Sequence, residues 1–146
     1  MKKHLLLLTV SFGLITAGFA QEEKAEKSVT PPAVVKAAFD KTFPGVTKTT
    51  WEKEDGNYEA GFTAKGNKMS AVYSPKGVLQ ETEVSIPVSE LPPAVTDYMK
   101  QHHKGITVKE AAKITKAGGM VNYEAEVNKK DVIFDAKGNF IREEKD

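Results

Sequence analysis

The sequence predicts an α+β fold: a tandem duplication of a helix plus an about four-stranded antiparallel sheet, with the helices packed on one sheet face. Two observations carry this expectation. At an offset of 60 residues Pro32-Ala-Val-Val35 aligns with Pro92-Pro-Ala-Val95, and without a gap Phe39 meets Met99, Phe43 meets His103 and Gly45 meets Gly105. Within each copy an apolar stripe of four-residue spacing then gives way to short alternating runs broken by glycine turns.

Each copy opens on a proline at a helix start, Pro32 or Pro92, where the missing N–H costs nothing. Val35, Phe39 and Phe43, or Val95, Met99 and His103, then line one helical face, and Pro44-Gly45 or Lys104-Gly105 ends it. Strands are expected over Thr47–Lys53, Asn57–Ala64, Lys68–Ser74 and Val78–Ile86, separated by turns at Asp55-Gly56, Lys65-Gly66-Asn67 and Pro75-Lys76-Gly77. The second copy reads as strands over Ile106–Ile114, Val121–Asn128, Asp131–Phe134 and Asn139–Glu143, turning at Gly118-Gly119, Lys129-Lys130 and Lys137-Gly138. Asn57-Tyr-Glu-Ala60 recurs as Asn122-Tyr-Glu-Ala125 at an offset of 65, and Tyr73-Ser-Pro-Lys-Gly77 as Phe134-Asp-Ala-Lys-Gly138 at 61. The offset changes only at turns, the places where insertions are tolerated.

Alternation assigns Tyr58, Ala60 and Phe62, with Tyr123, Ala125 and Val127, to the core. Glu59, Gly61 and Thr63, with Glu124, Glu126 and Asn128, fall on the other face, which no predicted helix covers and which is expected to be open to water or to a partner. Lysines interspersed among the carboxylates make that face read as solvated and mixed in charge.

The organisation follows. Lys2 and Lys3 precede an apolar run to Ala20 that ends Gly18-Phe-Ala20, so residues 1–20 read as a cleavable signal peptide, too short to span a bilayer. The polar stretch 21–30 reads as a disordered leader, 31–88 as the first repeat and 89–146 as the second, the two forming one compact unit. Each repeat alone is marginal in size, so the sheets are expected to join. Cleavage at Ala20/Gln21 leaves 126 of 146 residues and turns the net charge from +1 to −1. The expected location is the periplasm or the cell exterior, with no stable membrane insertion after cleavage.

Composition narrows the chemistry. Zero cysteines exclude disulfides, a thiol nucleophile, a Cys-held metal and a lipidated N-terminal cysteine. A near-zero net charge argues against a nucleic-acid binder. His102 and His103, the two histidines left after cleavage, are adjacent on a helix and point about 100° apart, a poor arrangement for one metal. Asp135-Ala-Lys-Gly-Asn139 lacks the alternating oxygen ligands of a calcium loop and reads as a hairpin turn. No two of Glu52, Glu54, Asp55, Glu59, Glu81 and Glu83 are selected by spacing as an acid/base pair, and Ser70, Ser74, Ser85 and Ser89 lack a nucleophile-elbow context. No catalytic, cofactor-binding or metal residue is therefore assigned, and the chain is not read as an enzyme. Trp51 stands where the second copy has Ala111; it either fills a larger core gap or meets a partner.

The Pro-x-x-Val-x-x-x-Phe/Met helix, the Phe43-Pro44-Gly45 helix end, the Tyr-Glu-Ala strand and the Tyr/Phe-x-x-x-Gly hairpin resemble the PepSY-like, beta-lactamase-inhibitor-protein-like secreted proteins common in Bacteroidetes. The resemblance runs from Pro31 to Glu144. It implies tandem helix-plus-four-strand units forming a concave sheet, a fold named for a secreted inhibitor that grips its enzyme with that surface; most members have no assigned activity. PepSY modules proper occur in peptidase propeptides, as restraints on the peptidase. The expected function is a non-catalytic exported binding module that holds a protein or peptide partner of the cell envelope on the open sheet face, an inhibitor or regulator of an envelope enzyme among the possibilities. Trp51, Glu59, Glu124 and Glu126 are its candidate contacts. The alternative is a small-molecule or metal-ion-binding periplasmic protein with a pocket between the repeats, using carboxylates or His102.

Overall fold

The computed structural model describes residues 28–145. The proposed signal peptide and most of the proposed leader lie outside the described residues. Helix α1 (Ala33–Thr42) leads into β1 (Thr49–Glu54), β2 (Asn57–Ala64), β3 (Asn67–Tyr73) and β4 (Leu79–Ile86). A short 3-10 turn (Val88–Glu90) precedes α2 (Pro93–His102), followed by β5 (Glu110–Lys116), β6 (Val121–Val127), β7 (Lys130–Asp135) and β8 (Phe140–Lys145). All eight strands form one antiparallel sheet in sequence order. The halves join where β4 pairs with β5, from Glu81↔Lys116 to Ile86↔Ala111, so one sheet serves both helices.

Local chemistry explains the elements. Pro32 and Pro92 occupy the two helix N-caps, and the helices close at Phe43 and His103 with their N–H groups donating to Phe39 and Met99 carbonyls. Asp55-Gly56 and Lys65-Gly66 both turn with two positive φ values (47° and 82°, 52° and 82°), the geometry that matches strand twist in two-residue hairpins. The β5–β6 hairpin is longer and uses Gly118 and Gly119 at φ 93° and 86°. Gly77 and Gly138 do more than turn. A Cβ on Gly77 would lie 2.8 Å from the Val34 carbonyl oxygen, and one on Gly138 would lie 2.8 Å from Ala94 Cβ. Val34 and Ala94 lie in the first turns of α1 and α2, so in both places the hairpin backbone presses against the first turn of a helix.

Two apolar clusters hold the helices to the sheet. In the first half Val35 and Phe39 pack with Trp51, Ala60, Phe62, Ala71 and Tyr73. Phe39 is the hub, its ring 5.4 Å from Trp51 and 5.0 Å from Phe62, both edge-on; such contacts add about 0.5–1.5 kcal/mol each beyond area burial. In the second half Val95 and Met99 pack with Leu91, Ala111, Ala125, Val127, Val132 and Phe134. The register sets Trp51 opposite Ala60 and Ala111 opposite Ala125, so the tryptophan and Ala111 occupy corresponding places.

The largest departure from the expected strand boundaries is at the start of β5. The sequence places a strand from Ile106, but β5 begins at Glu110. Ile106 N–H instead donates to the His103 carbonyl, continuing the turn that closes α2, and ladder pairing starts where Lys109 N–H reaches the Glu126 carbonyl.

Candidate functional site

The register fixes what each face carries. Tyr58, Ala60 and Phe62 point to the helices, while Glu52, Glu59, Val72, Glu81 and Lys116 form a cross-strand row on the opposite face. The next rows on that face bring together Ser70, Glu83, Ile114 and Asn122, then Ser85, Ala112, Glu124, Ile133 and Arg142. Glu110, Glu126, Asp131 and Glu144 complete it. Glu59 on β2, Glu83 on β4, Glu124 on β6 and Asp131 on β7 thus lie on a diagonal across the helix-free face.

The expectation of a solvated, mixed-charge face needs correction. Glu59 is 7% exposed, Glu83 2% and Glu124 2%, with Asn122 and Asp131 also buried. No described helix covers them. Asp131, Glu59 and Glu81 all act on the charge of Glu83. With no described helix over this face, the residues beside these side chains are those of the adjacent strands.

Burial controls the protonation of these groups. Desolvation pushes the Glu59 carboxyl up from 4.5 to about 7, against the opposing hydrogen bond from Ser70 and with help from Glu54, Glu52 and Glu81. Desolvation also raises Glu83 and Glu124 well above the ordinary carboxylate range; Glu59, Glu81 and Asp131 add to the rise at Glu83, and Glu83 and Asp131 to that at Glu124. One oxygen of each, Glu83 Oε2 and Glu124 Oε2, is buried without a hydrogen-bond partner. Two cations of this face, Lys116 and Arg142, are paired with Glu81 and Glu144. Beside the diagonal a cleft of about 1220 Å³ is lined by Glu52, Glu59, Ser70, Glu83 and Ser85, with Lys48, Lys65 and Lys68 also on its walls.

The candidate contacts therefore separate. Glu59, Glu124 and Glu126 share the helix-free face, whereas Trp51, 6% exposed, sits in the core on the other side against Phe39 and Tyr73. The environment of Trp51 is that of the gap-filling reading. Glu83 was not singled out by sequence; the identical Asn-Tyr-Glu-Ala segments mark Glu59 and Glu124, but β4 carries no such repeat signal. Of the histidines, His102 stacks on Tyr98 at 4.1 Å and His103 Nε2 stands 3.6 Å from Glu143. Among the described residues no three His, Asp or Glu side chains are placed to hold a metal ion. Asp135 accepts from the Lys137 and Asn139 N–H groups and the Asn139 amide, which hold its carboxyl below its ordinary value and occupy it within the hairpin turn.

Residues 56–142 match the family model described as "Putative beta-lactamase-inhibitor-like, PepSY-like". The chain belongs to the PepSY-like family. Solved structures share the fold. A "putative periplasmic" protein of Bacteroides eggerthii superposes with a TM-score of 0.71 at 18% identity, over 80% of this chain and 90% of that one. A DUF2874 family protein of Bacteroides uniformis gives 0.70 at 20% identity over 80% and 90%. A BLIP-like protein of Bacteroides fragilis gives 0.60 at 22% identity over 80% and 87%. No protein of curated function matches the chain. Among the described residues no helix is long and apolar enough to cross a membrane.

Proposed function

We propose that this PepSY-like protein is a non-catalytic periplasmic binding module, exported by its signal peptide, that holds a protein or peptide partner of the envelope on the helix-free sheet face. One observation carries the reading: that face spends stability on buried carboxyls, two of them with an unpartnered oxygen, where apolar side chains would pack at no such cost. The fold shared with BLIP-like proteins supports inhibition of an envelope enzyme as the form this binding takes. We read the two halves, 31–88 and 89–146, as a duplicated unit whose helices share one face so that the other stays continuous across eight strands.

The absence of native cysteine permits a clean test. Ser85 lines the cleft, so a Ser85→Cys variant of the processed chain can be folded and then alkylated with a bulky maleimide to fill it. Envelope proteins captured by the unblocked variant are quantified against those captured by the blocked one, and any captured enzyme is assayed with and without the processed chain. Enrichment that the block abolishes, with reduced enzyme activity, is the expected result. Identical capture profiles would refute binding through this face, and unchanged activity would refute inhibition.

A further inference from the structure

We propose that the helix-free face seats the guanidinium of a partner's arginine between Glu83 and Glu124, entered from the cleft past Glu59. The inference rests on the face being the binding surface and adds what that surface recognises. A carboxylate-rich face alone would be a solvated one; here the two central glutamates are each 2% exposed, and Oε2 of each is buried without a hydrogen-bond partner. A buried acceptor left unmade costs about 1–3 kcal/mol, more when charged, and is removed when a donor arrives.

The donor that fits is a planar, multiply donating cation. The acceptors come from different strands, with Glu83 on β4 and Glu124 on β6, and Glu59 on β2 lies beyond them along the diagonal. No described cluster has the compact geometry of a metal site. A guanidinium presents five N–H donors in a fixed fork and bridges separated carboxylates in a way that a point charge cannot. The cations already on the face do not fill the role, since Lys116 and Arg142 are held by Glu81 and Glu144. Glu83 lines the cleft together with Glu59 and the small side chains of Ser70 and Ser85. The lysines on the cleft wall, Lys48, Lys65 and Lys68, discourage a uniformly basic segment and favour a single arginine in a neutral or acidic one.

Binding is then coupled to protons. The charged groups facing the pair are Glu59, Glu81, Asp131 and Lys116 around Glu83, and Asp131, Glu126 and Glu144 around Glu124. Burial keeps the pair protonated in the free protein, so seating a guanidinium releases protons and affinity rises with pH.

The test is an NMR titration of the processed chain with the blocked peptide Thr-Thr-Arg-Thr-Thr, against the same peptide carrying glutamine, at about pH 6 and about pH 8. The arginine peptide is expected to shift resonances of Glu83, Glu124 and their strand neighbours, more tightly at the higher pH. The Glu83→Gln/Glu124→Gln double variant, shown to be folded by its spectrum, is expected to lose at least about tenfold in affinity. Equal response to the arginine and glutamine peptides, or undiminished affinity in the double variant, would overturn the arginine seat. The capture experiment separates this from failure of the wider reading: partners that the maleimide block displaces but the double variant still holds would leave the face as the binding surface and remove only the arginine.

Discussion

Replacing Glu59 by glutamine should stabilise the protein at alkaline pH and leave it nearly unchanged at mildly acidic pH. Glu59 is 7% exposed and its carboxyl is pushed from 4.5 to about 7, so solvent screening removes little of the effect. A tenfold change in proton affinity is worth about 1.4 kcal/mol, which makes ionising Glu59 in the folded chain cost roughly 3 kcal/mol relative to the unfolded chain. For a carboxyl raised on folding, the folded state binds the extra proton. Its stability is fully present below 4.5 and is lost as pH rises through about 7. Glu83 and Glu124 act in the same direction and extend the loss to higher pH. Urea unfolding of wild type and Glu59→Gln from about pH 5 to about pH 8 reads this directly. The variant should gain up to roughly 3 kcal/mol at the upper end and show a shallower pH slope throughout. Wild-type stability that is flat or rises over this range, or a gain in the variant equal at both ends, would refute the argument that burial keeps Glu59 protonated.

Two further perturbations test the scaffold. Gly138→Ala places a Cβ 2.8 Å from Ala94 Cβ, whereas Gly66→Ala, at a similar positive φ, meets nothing within 4 Å. Thermal melts should therefore show Gly138→Ala costing more than Gly66→Ala, by about 1–3 kcal/mol of overpacking; equal losses would mean that the hairpin does not press on α2. Trp51→Ala should cost about 3–5 kcal/mol by emptying the aromatic cluster around Phe39. The chain's single tryptophan should emit as a buried indole, and solvent-exposed emission would contradict that packing.

The scaffold was legible because its signals are local. Val35 and Phe39 share a helical stripe, Asp55-Gly56 can only turn, and the Tyr73 to Gly77 hairpin has its counterpart in Phe134 to Gly138. The start of β5 was misplaced because Ile106 has strand character in isolation while its N–H is taken by the turn that closes α2. The site was half legible. Alternation puts Glu59, Glu124 and Glu126 on the face away from the helices, and the repeated Asn-Tyr-Glu-Ala marks two of them. Alternation predicts a side chain's face but not its depth: Glu83 is 2% exposed on a face that no described helix covers, and no local pattern marks that burial. Trp51 was ambiguous for the complementary reason, since a large residue replacing Ala111 signals a larger gap or a contact until the rings around it are known.

The account turns on buried carboxyls held protonated on the helix-free face, and site-resolved carboxyl ¹³C NMR titration of the processed chain measures that most directly. The account predicts that Glu59 titrates near 7, that Glu83 and Glu124 titrate as a pair well above the ordinary carboxylate range, and that the arginine peptide moves the pair downward. Ordinary titration of all three near 4.5, unaffected by the peptide, would contradict it.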